Sequence, residues 1–207
     1  MSLKNYKYSD KIEIGTDEAG RGCLAGPVFA AAVILPKNFR CPLMDDSKKL
    51  SEKNRVELRS IIEKKAIAWA VGIVSHEEID EINILNASFL AMHRAINQVL
   101  LQTDNSIKPD LILVDGNKFK PYTNLPAECI IKGDGIYKSI AAASILAKTY
   151  RDDYMEKIHQ EFPYFDWKQN KGYPTKKHRA AIAKHGASPH HRMSFKLLPE
   201  AEQLSMF

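Results

Sequence analysis

The chain has 207 residues, of which 44% are hydrophobic and 27% charged, with a formal net charge of +5. That length is enough for one well-buried core, and those fractions exclude a disordered or fibrous chain. The longest apolar run, Val28 to Leu35, is too short to span a membrane, and no apolar signal region follows Met1-Ser2-Leu3-Lys4, so a soluble cytoplasmic protein is expected.

Cys23, Cys41 and Cys129 are odd in number and unpaired in spacing. They read as free thiols rather than a disulfide framework or a zinc knuckle.

Lys11 to Thr16 reads as a strand that runs into Asp17-Glu18-Ala19-Gly20-Arg21-Gly22. Two adjacent carboxylates at a strand end are costly to bury unless a cation binds there. Two phosphate loops are excluded first. Gly15 and Gly20 have the outer spacing of a P-loop, but Arg21 and Gly22 stand where that loop needs Lys and Ser or Thr. Gly20, Gly22 and Gly26 approach a dinucleotide fingerprint, but the last interval is one residue too long, and Pro27 to Leu35 reads as a strand.

The continuous apolar character of that second strand predicts a parallel or mixed sheet covered on both faces. Ser51 then caps a helix carrying Val56, Leu58, Ile61 and Ile62, and Ser47 and Lys48 precede it in a polar loop. Ala66 to Val74 reads as a third strand. Glu77 to Gln102 reads as a helix broken near Asn83, with a core-facing apolar stripe, and His76 and His93 beside it read as structural.

Asp110 to Asp115 is another apolar strand ending in a carboxylate and turning on Gly116-Asn117. Cys129 to Asp134 repeats the pattern before a small-residue helix over 139–148. One such aspartate is an ordinary turn or cap residue, but three apolar runs ending in Asp favour a site at the carboxyl ends of the strands. Asp17, Glu18, Asp115 and Asp134 form a hard, oxygen-only set that suits Mg²⁺ or Mn²⁺ rather than Zn²⁺. Two such ions about 4 Å apart suit phosphodiester hydrolysis.

Lys168 to Thr175 reads as a basic loop around Tyr173, followed by a helix over 176–184 that Gly186 closes. On the residues alone Tyr173 is a tyrosine packing its loop, and His190-His191-Arg192 is a polar loop. The basic C-terminal third fits either a solvated surface or a polyanionic partner.

Six motifs taken in order resemble bacterial ribonuclease HII, the type 2 ribonuclease H family. They are DEAGRG at 17–22, DDSKKLS at 45–51, VDGN at 114–117, KGD at 132–134, AAASILAK at 141–148 followed by Arg151-Asp152, and NKGYPT at 170–175. The resemblance implies an α/β, RNase H-like fold with a mixed five-stranded sheet flanked by helices. It also implies a catalytic domain over 1–160, a C-terminal helical extension over 161–199 and a tail over 200–207. The implied activity is two-metal endonucleolytic cleavage of RNA in RNA/DNA hybrids and 5′ of ribonucleotides embedded in duplex DNA, leaving 3′-hydroxyl and 5′-phosphate ends, in primer removal and ribonucleotide excision repair.

The family's metal ligands and catalytic acids fall on Asp17, Glu18, Asp115 and Asp134. Its ribose-reading loop falls on Gly20, Arg21 and Gly22, its phosphate contacts on Ser47 and Lys48, and its junction-sensing tyrosine on Tyr173. The last five residues resemble peptides that bind the bacterial sliding clamp, with Gln203, Leu204, Met206 and Phe207 as anchors. A monomer without membrane contact is expected. Two other readings stay open, a junction-resolving nuclease on the same scaffold and a non-catalytic hybrid-binding protein tethered to the replication machinery. The 20–22 loop and Tyr173 argue against the first, and the intact carboxylate set against the second.

Overall fold

Seven consecutive buried residues, Val28–Ile34, form a strand at the middle of the molecule. A computed structural model describes residues 2–44, 51–103, 107–121 and 123–198. Ser47 and Lys48 and the tail residues Gln203, Leu204, Met206 and Phe207 lie outside them.

Strand β1 (Glu13–Ala19) pairs antiparallel with β2 (Val28–Ile34), which pairs antiparallel with β3 (Ala68–Val74). On its other side β1 pairs parallel with β4 (Leu111–Asp115), and β4 with β5 (Ala127–Ile130). The order is β3-β2-β1-β4-β5, the mixed five-stranded sheet expected. Apolar residues at every position of β2 follow from burial on both faces. Val28, Ala30, Ala32 and Ile34 meet Ala87, Ala91, Ala95 and Ile96 of α2 (His76–Gln102). Ala31 and Val33 meet Leu58 and Ile62 of α1 (Glu52–Lys65) and the alanines of α3 (Lys138–Glu161).

Local chemistry sets the helix ends. Ser51 accepts a hydrogen bond from the Asn54 amide, and Ser75 and Glu78 form a reciprocal capping box at the start of α2. The expected break at Asn83 is a kink with φ 64°, where the Asn83 side chain accepts from the amides of Leu85 and Asn86 and caps the second half of the helix.

Helix α3 is longer than the 139–148 expected, because its second half carries Met155 and Ile158 into a separate apolar cluster with Phe165, Trp167 and Ile182. That cluster belongs to the C-terminal helices, α4 (Trp167–Asn170) and α5 (Lys176–His185). The stretch read as a basic loop therefore opens with a helical turn.

Helix α3 also lies directly on β1. A Cβ at Gly15 would sit 2.3 Å from the Ser139 carbonyl carbon, so this crossing admits no side chain. Gly15→Ala should therefore force the helix off the sheet, lowering stability by about 2–4 kcal/mol, as overpacking of a rigid core does. Denaturant unfolding measures this.

A chain of neutral rings ties the C-terminal helices together. The Tyr173 carbonyl can only accept, so His178 Nδ1 donates to it at 2.9 Å, leaving Nε2 to accept from Trp167 Nε1 at 3.0 Å. His191 Nδ1 accepts from the Ser188 amide at 2.9 Å, which places its proton on Nε2, 3.2 Å from His178 Nε2. Burial, with His178 alongside, pushes His191 from its ordinary 6.5 down to about 3. Burial lowers His178 and His190 as well.

In the unfolded chain these rings take up protons below about pH 6.5, whereas the folded chain resists. The stability these rings contribute is therefore complete only above about pH 6.5 and falls as pH drops toward 3, against the opposite slope of the raised acids of the strand ends. For His191 the loss between about pH 6.5 and 5 is of order 1–2 kcal/mol. The difference between thermal melts of the wild type and of His191→Asn across that range isolates this loss from the slope of the acids, and it should shift by that amount against the wild type as pH falls.

Candidate active site

Strand β1 carries Asp17 and Glu18 within its last turns of pleat, next to the carboxyl end of β4. Thr16 pairs with Val114, so the next step along both strands sets Asp17 beside Asp115. Asp17 is 7% exposed, its carboxylate accepts from the Glu18 amide at 2.7 Å, and the Ser144 side chain of α3 beside it works against the rise in its pKa. Burial pushes its pKa up to about 8, and the neighbouring Asp115 and Glu18 add to the rise. Burial also raises Glu18, against the opposing pull of Arg21, whose Nη1 lies 3.0 Å from Glu18 Oε1.

The fourth acid arrives by a different route from the one expected. Strand β5 ends at Ile130, and Asp134 sits four residues on, in a 3₁₀ turn over Gly133–Gly135 entered through Lys132 at φ 57°. That turn wraps the end of β4. The amides of Gly133 and Asp134 reach Asp115 Oδ1 at 2.7 and 3.4 Å, and the Asp134 charge helps burial raise Asp115.

Asp115 and Glu18 thus raise Asp17, Asp115 raises Glu18 and Asp134 raises Asp115, a repulsion that a divalent cation would relieve. All their donors are carboxylate oxygens, which fits Mg²⁺ or Mn²⁺. Among the described residues no three of His, Cys, Asp or Glu close around a single point. Mg²⁺ needs no such cage, since one or two carboxylates with water and substrate phosphate complete its shell.

Beside the acids lies a cleft of about 250 Å³ lined by Glu18, Gly20, Arg21, Gly22, Ser144, Lys148, Asp152 and Tyr173. The 20–22 loop and Tyr173, 150 residues apart in sequence, thus meet in one place. A Cβ on Gly22 would lie 4.0 Å from the Tyr173 ring, and the Tyr173 hydroxyl lies near the Cys23 thiol. The ring is 45% exposed rather than packed away.

Ser144, Lys148 and Asp152 escape a reading of single motifs, though their i, i+4 spacing on a helix was the available signal. Lys148 Nζ stands 3.3 Å from Asp152 Oδ2 at the cleft wall.

Two arginines hold this loop from behind, and one corrects the sequence reading. Arg192 does not lie in a polar loop. It is fully buried and donates to the carbonyls of Gly26, Arg21 and Gly20 at 2.9, 3.0 and 2.7 Å. Arg151 donates to Pro27, Ala25 and Lys171 carbonyls at 3.1, 3.1 and 2.8 Å. Burial, reinforced by the nearby Arg151, pulls Arg192 down to about 10.

A mixed β3-β2-β1-β4-β5 sheet with acids on β1 and after β4 and β5, and helices on both faces, defines an RNase H-like nuclease. The family model described as Ribonuclease HII matches residues 14–198. A ribonuclease HII of Bacteroides thetaiotaomicron is 64% identical over 97% of both chains. Among solved structures, the ribonuclease HII in the Archaeoglobus fulgidus PCNA:RNase HII complex is 29% identical, with a TM-score of 0.71 over 95% of this chain and 100% of that one. A Bst-RNase HIII solved with Mn²⁺ shares the fold at 17% identity and a TM-score of 0.77, over 97% of this chain and 71% of that one. The chain belongs to the ribonuclease HII family. It is a ribonuclease H, an endonucleolytic hydrolase of a metal-dependent class that acts on RNA/DNA hybrids.

Proposed function

We propose that this enzyme cuts the RNA strand of RNA/DNA hybrids and, in duplex DNA, cuts 5′ of a single embedded ribonucleotide, leaving 3′-hydroxyl and 5′-phosphate ends. The observation that carries the proposal is the contiguity of two features: carboxylates gathered near the strand ends, where like charge adds to the rise of Asp17 and Asp115, and a cleft floored by Gly20-Arg21-Gly22. Asp17, Glu18, Asp115 and Asp134 hold Mg²⁺ or Mn²⁺, which when bound supplies the positive charge that activates water and stabilises the leaving oxygen.

The rest of the site selects and places the substrate. The loop backbone meets the ribose 2′-hydroxyl, the group that tells RNA from DNA. Tyr173, half-exposed at the cleft edge, stacks on the sugar or base at the RNA-to-DNA junction. Lys148, together with Ser47 and Lys48, holds phosphates of the duplex. Arg21, paired with Glu18, opposes the rise that burial imposes on that acid.

On this reading residues 1–160 are the catalytic domain and 161–199 the extension that delivers Tyr173, and the enzyme acts as a monomer on RNA primers and misincorporated ribonucleotides. No helix among the described residues is long and apolar enough to cross a membrane, which agrees with a cytoplasmic workplace.

A duplex with one embedded ribonucleotide, incubated with Mg²⁺ or Mn²⁺, should be cut on the 5′ side of that residue, while an all-DNA duplex stays intact. Asp17→Asn should lower kcat by more than about 100-fold, beyond what removing a mere supporting partner of a metal ligand costs. Equal cutting of the all-DNA duplex, or near-normal turnover by Asp17→Asn, would overturn the reading.

The tail extends the proposal to a partner. The archaeal relative was solved in complex with PCNA, and Gln203, Leu204, Met206 and Phe207 form a short apolar peptide with one polar anchor. We assign that peptide to a sliding clamp. Deleting residues 203–207 should abolish clamp binding in a pull-down with purified clamp while leaving cleavage of short duplexes unchanged.

A further inference from the structure

Arg192 is a fully buried guanidinium whose hydrogen bonds run to carbonyl oxygens rather than to an acid. A buried cation without a carboxylate partner is expensive, so its place behind one short loop calls for an explanation. The three acceptors, Gly20, Arg21 and Gly26, all belong to the loop that floors the cleft, and they lie more than 160 residues away in sequence.

The peptide geometry says what this does. In a trans peptide the C=O and the following N–H point in opposite directions. The peptide that carries the Gly20 carbonyl also carries the Arg21 N–H, and the one that carries the Arg21 carbonyl also carries the Gly22 N–H. Drawing both carbonyls inward onto one guanidinium therefore turns both N–H groups outward. Among the described residues none accepts from either of these amides. The cation also polarises each peptide it grips, which strengthens the N–H on the far side as a donor.

The loop has no freedom to escape this arrangement. Gly20, at φ +96°, rests on Arg151, whose Nε would lie 2.1 Å from a Cβ there. Arg151 in turn links the loop to Lys171 and so to the Tyr173 turn. The backbone of residues 190–192 adds further ties, Gly26 to the His190 carbonyl and Arg192 to the Leu24 carbonyl at 2.9 and 2.8 Å.

We propose that Arg192 is a positioning residue for sugar discrimination: it aims the N–H groups of Arg21 and Gly22 into the cleft as a preset pair of donors for the 2′-hydroxyl oxygen. This rests on the reading above that the loop meets the ribose. Arg192 itself touches no substrate. Its effect is seen in the preference for ribose over deoxyribose and not in affinity for duplex phosphates.

The test compares dissociation constants of the full-length protein, in EDTA so that no turnover occurs, for a duplex with one ribonucleotide and for the all-DNA duplex of the same sequence. Arg192→Lys keeps the charge but loses the fork that spans two carbonyls. It should cut the affinity ratio by about tenfold, the order of one lost hydrogen bond, with the all-DNA constant unchanged within about twofold. A merely structural role would weaken both duplexes together. Gly22→Ala, whose Cβ meets nothing closer than Tyr173 at 4.0 Å, tests the loop reading separately.

If Gly22→Ala removes the preference and a folded Arg192→Lys keeps it, the positioning role is overturned while the loop reading stands. If the wild type shows no preference, the loop reading falls and the proposal with it. Should Arg192→Lys fail to fold, the wild-type protein labelled with ¹⁵N decides. The ribonucleotide duplex, and not the all-DNA one, should shift the amides of Arg21 and Gly22 together with the Arg192 Nη–H groups that hold the Gly20 and Arg21 carbonyls. Shifts at the two amides without one at Arg192 would overturn the coupling.

Discussion

The constraint on which the rest depends is the burial of the Asp17 carboxyl in a strand paired on both sides. A group that desolvation drives up to about 8 sheds its charge at neutral pH unless something positive meets it. The fold places it there because β1 is the junction of the sheet, antiparallel to β2 and parallel to β4. The parallel pairing brings Asp115 alongside, and the 3₁₀ turn after β5 closes over Asp115 with two amides. Sheet topology, not local sequence, brings these acids near one another, and their mutual repulsion is the reason for proposing a cation between them.

The apolar and polar runs made much of this legible. The five strands, the cap at Ser51, the kink at Asn83 and the acids at strand ends all follow from short-range rules that act within a few residues: burial on both faces, side-chain capping and the strand-to-turn switch. The bounds shifted where the chain had long-range reasons to continue. β1 runs through Asp17 and Glu18 to Ala19 because β2 supplies partners as far as Phe29. Helix α3 runs to Glu161 because Met155 and Ile158 find a second apolar cluster that no local pattern announces.

Arg192 shows where such reading ends. In His190-His191-Arg192 every residue is of a type usually found in water, and all that distinguishes the arginine is what it meets. His191 and Arg192 are buried because Phe165, Trp167 and His178 pack around the ring, and three carbonyls of the 20–26 loop accept from the guanidinium. Neither set of partners is near in sequence. Tyr173 illustrates the same limit from the other side: its chemistry suits packing or stacking equally, and only its 45% exposure beside Gly22 separates the two.

The strap formed by residues 188–198 has a consequence for how the enzyme is made. The loop over 20–26 and the acids on β1 leave the ribosome early, yet the guanidinium that shapes the loop and the ring network behind Tyr173 emerge with the last few residues of the described chain. Contacts of such long sequence separation form late, and vectorial synthesis delays them further. A nascent chain therefore carries the loop over 20–26 before it carries the guanidinium that holds it. Because β4 and the turn at Asp134 also follow by about a hundred residues, the acid cluster too stays incomplete through the first half of translation. The order of assembly thus leaves both the loop and the acids without their distant partners until late in synthesis.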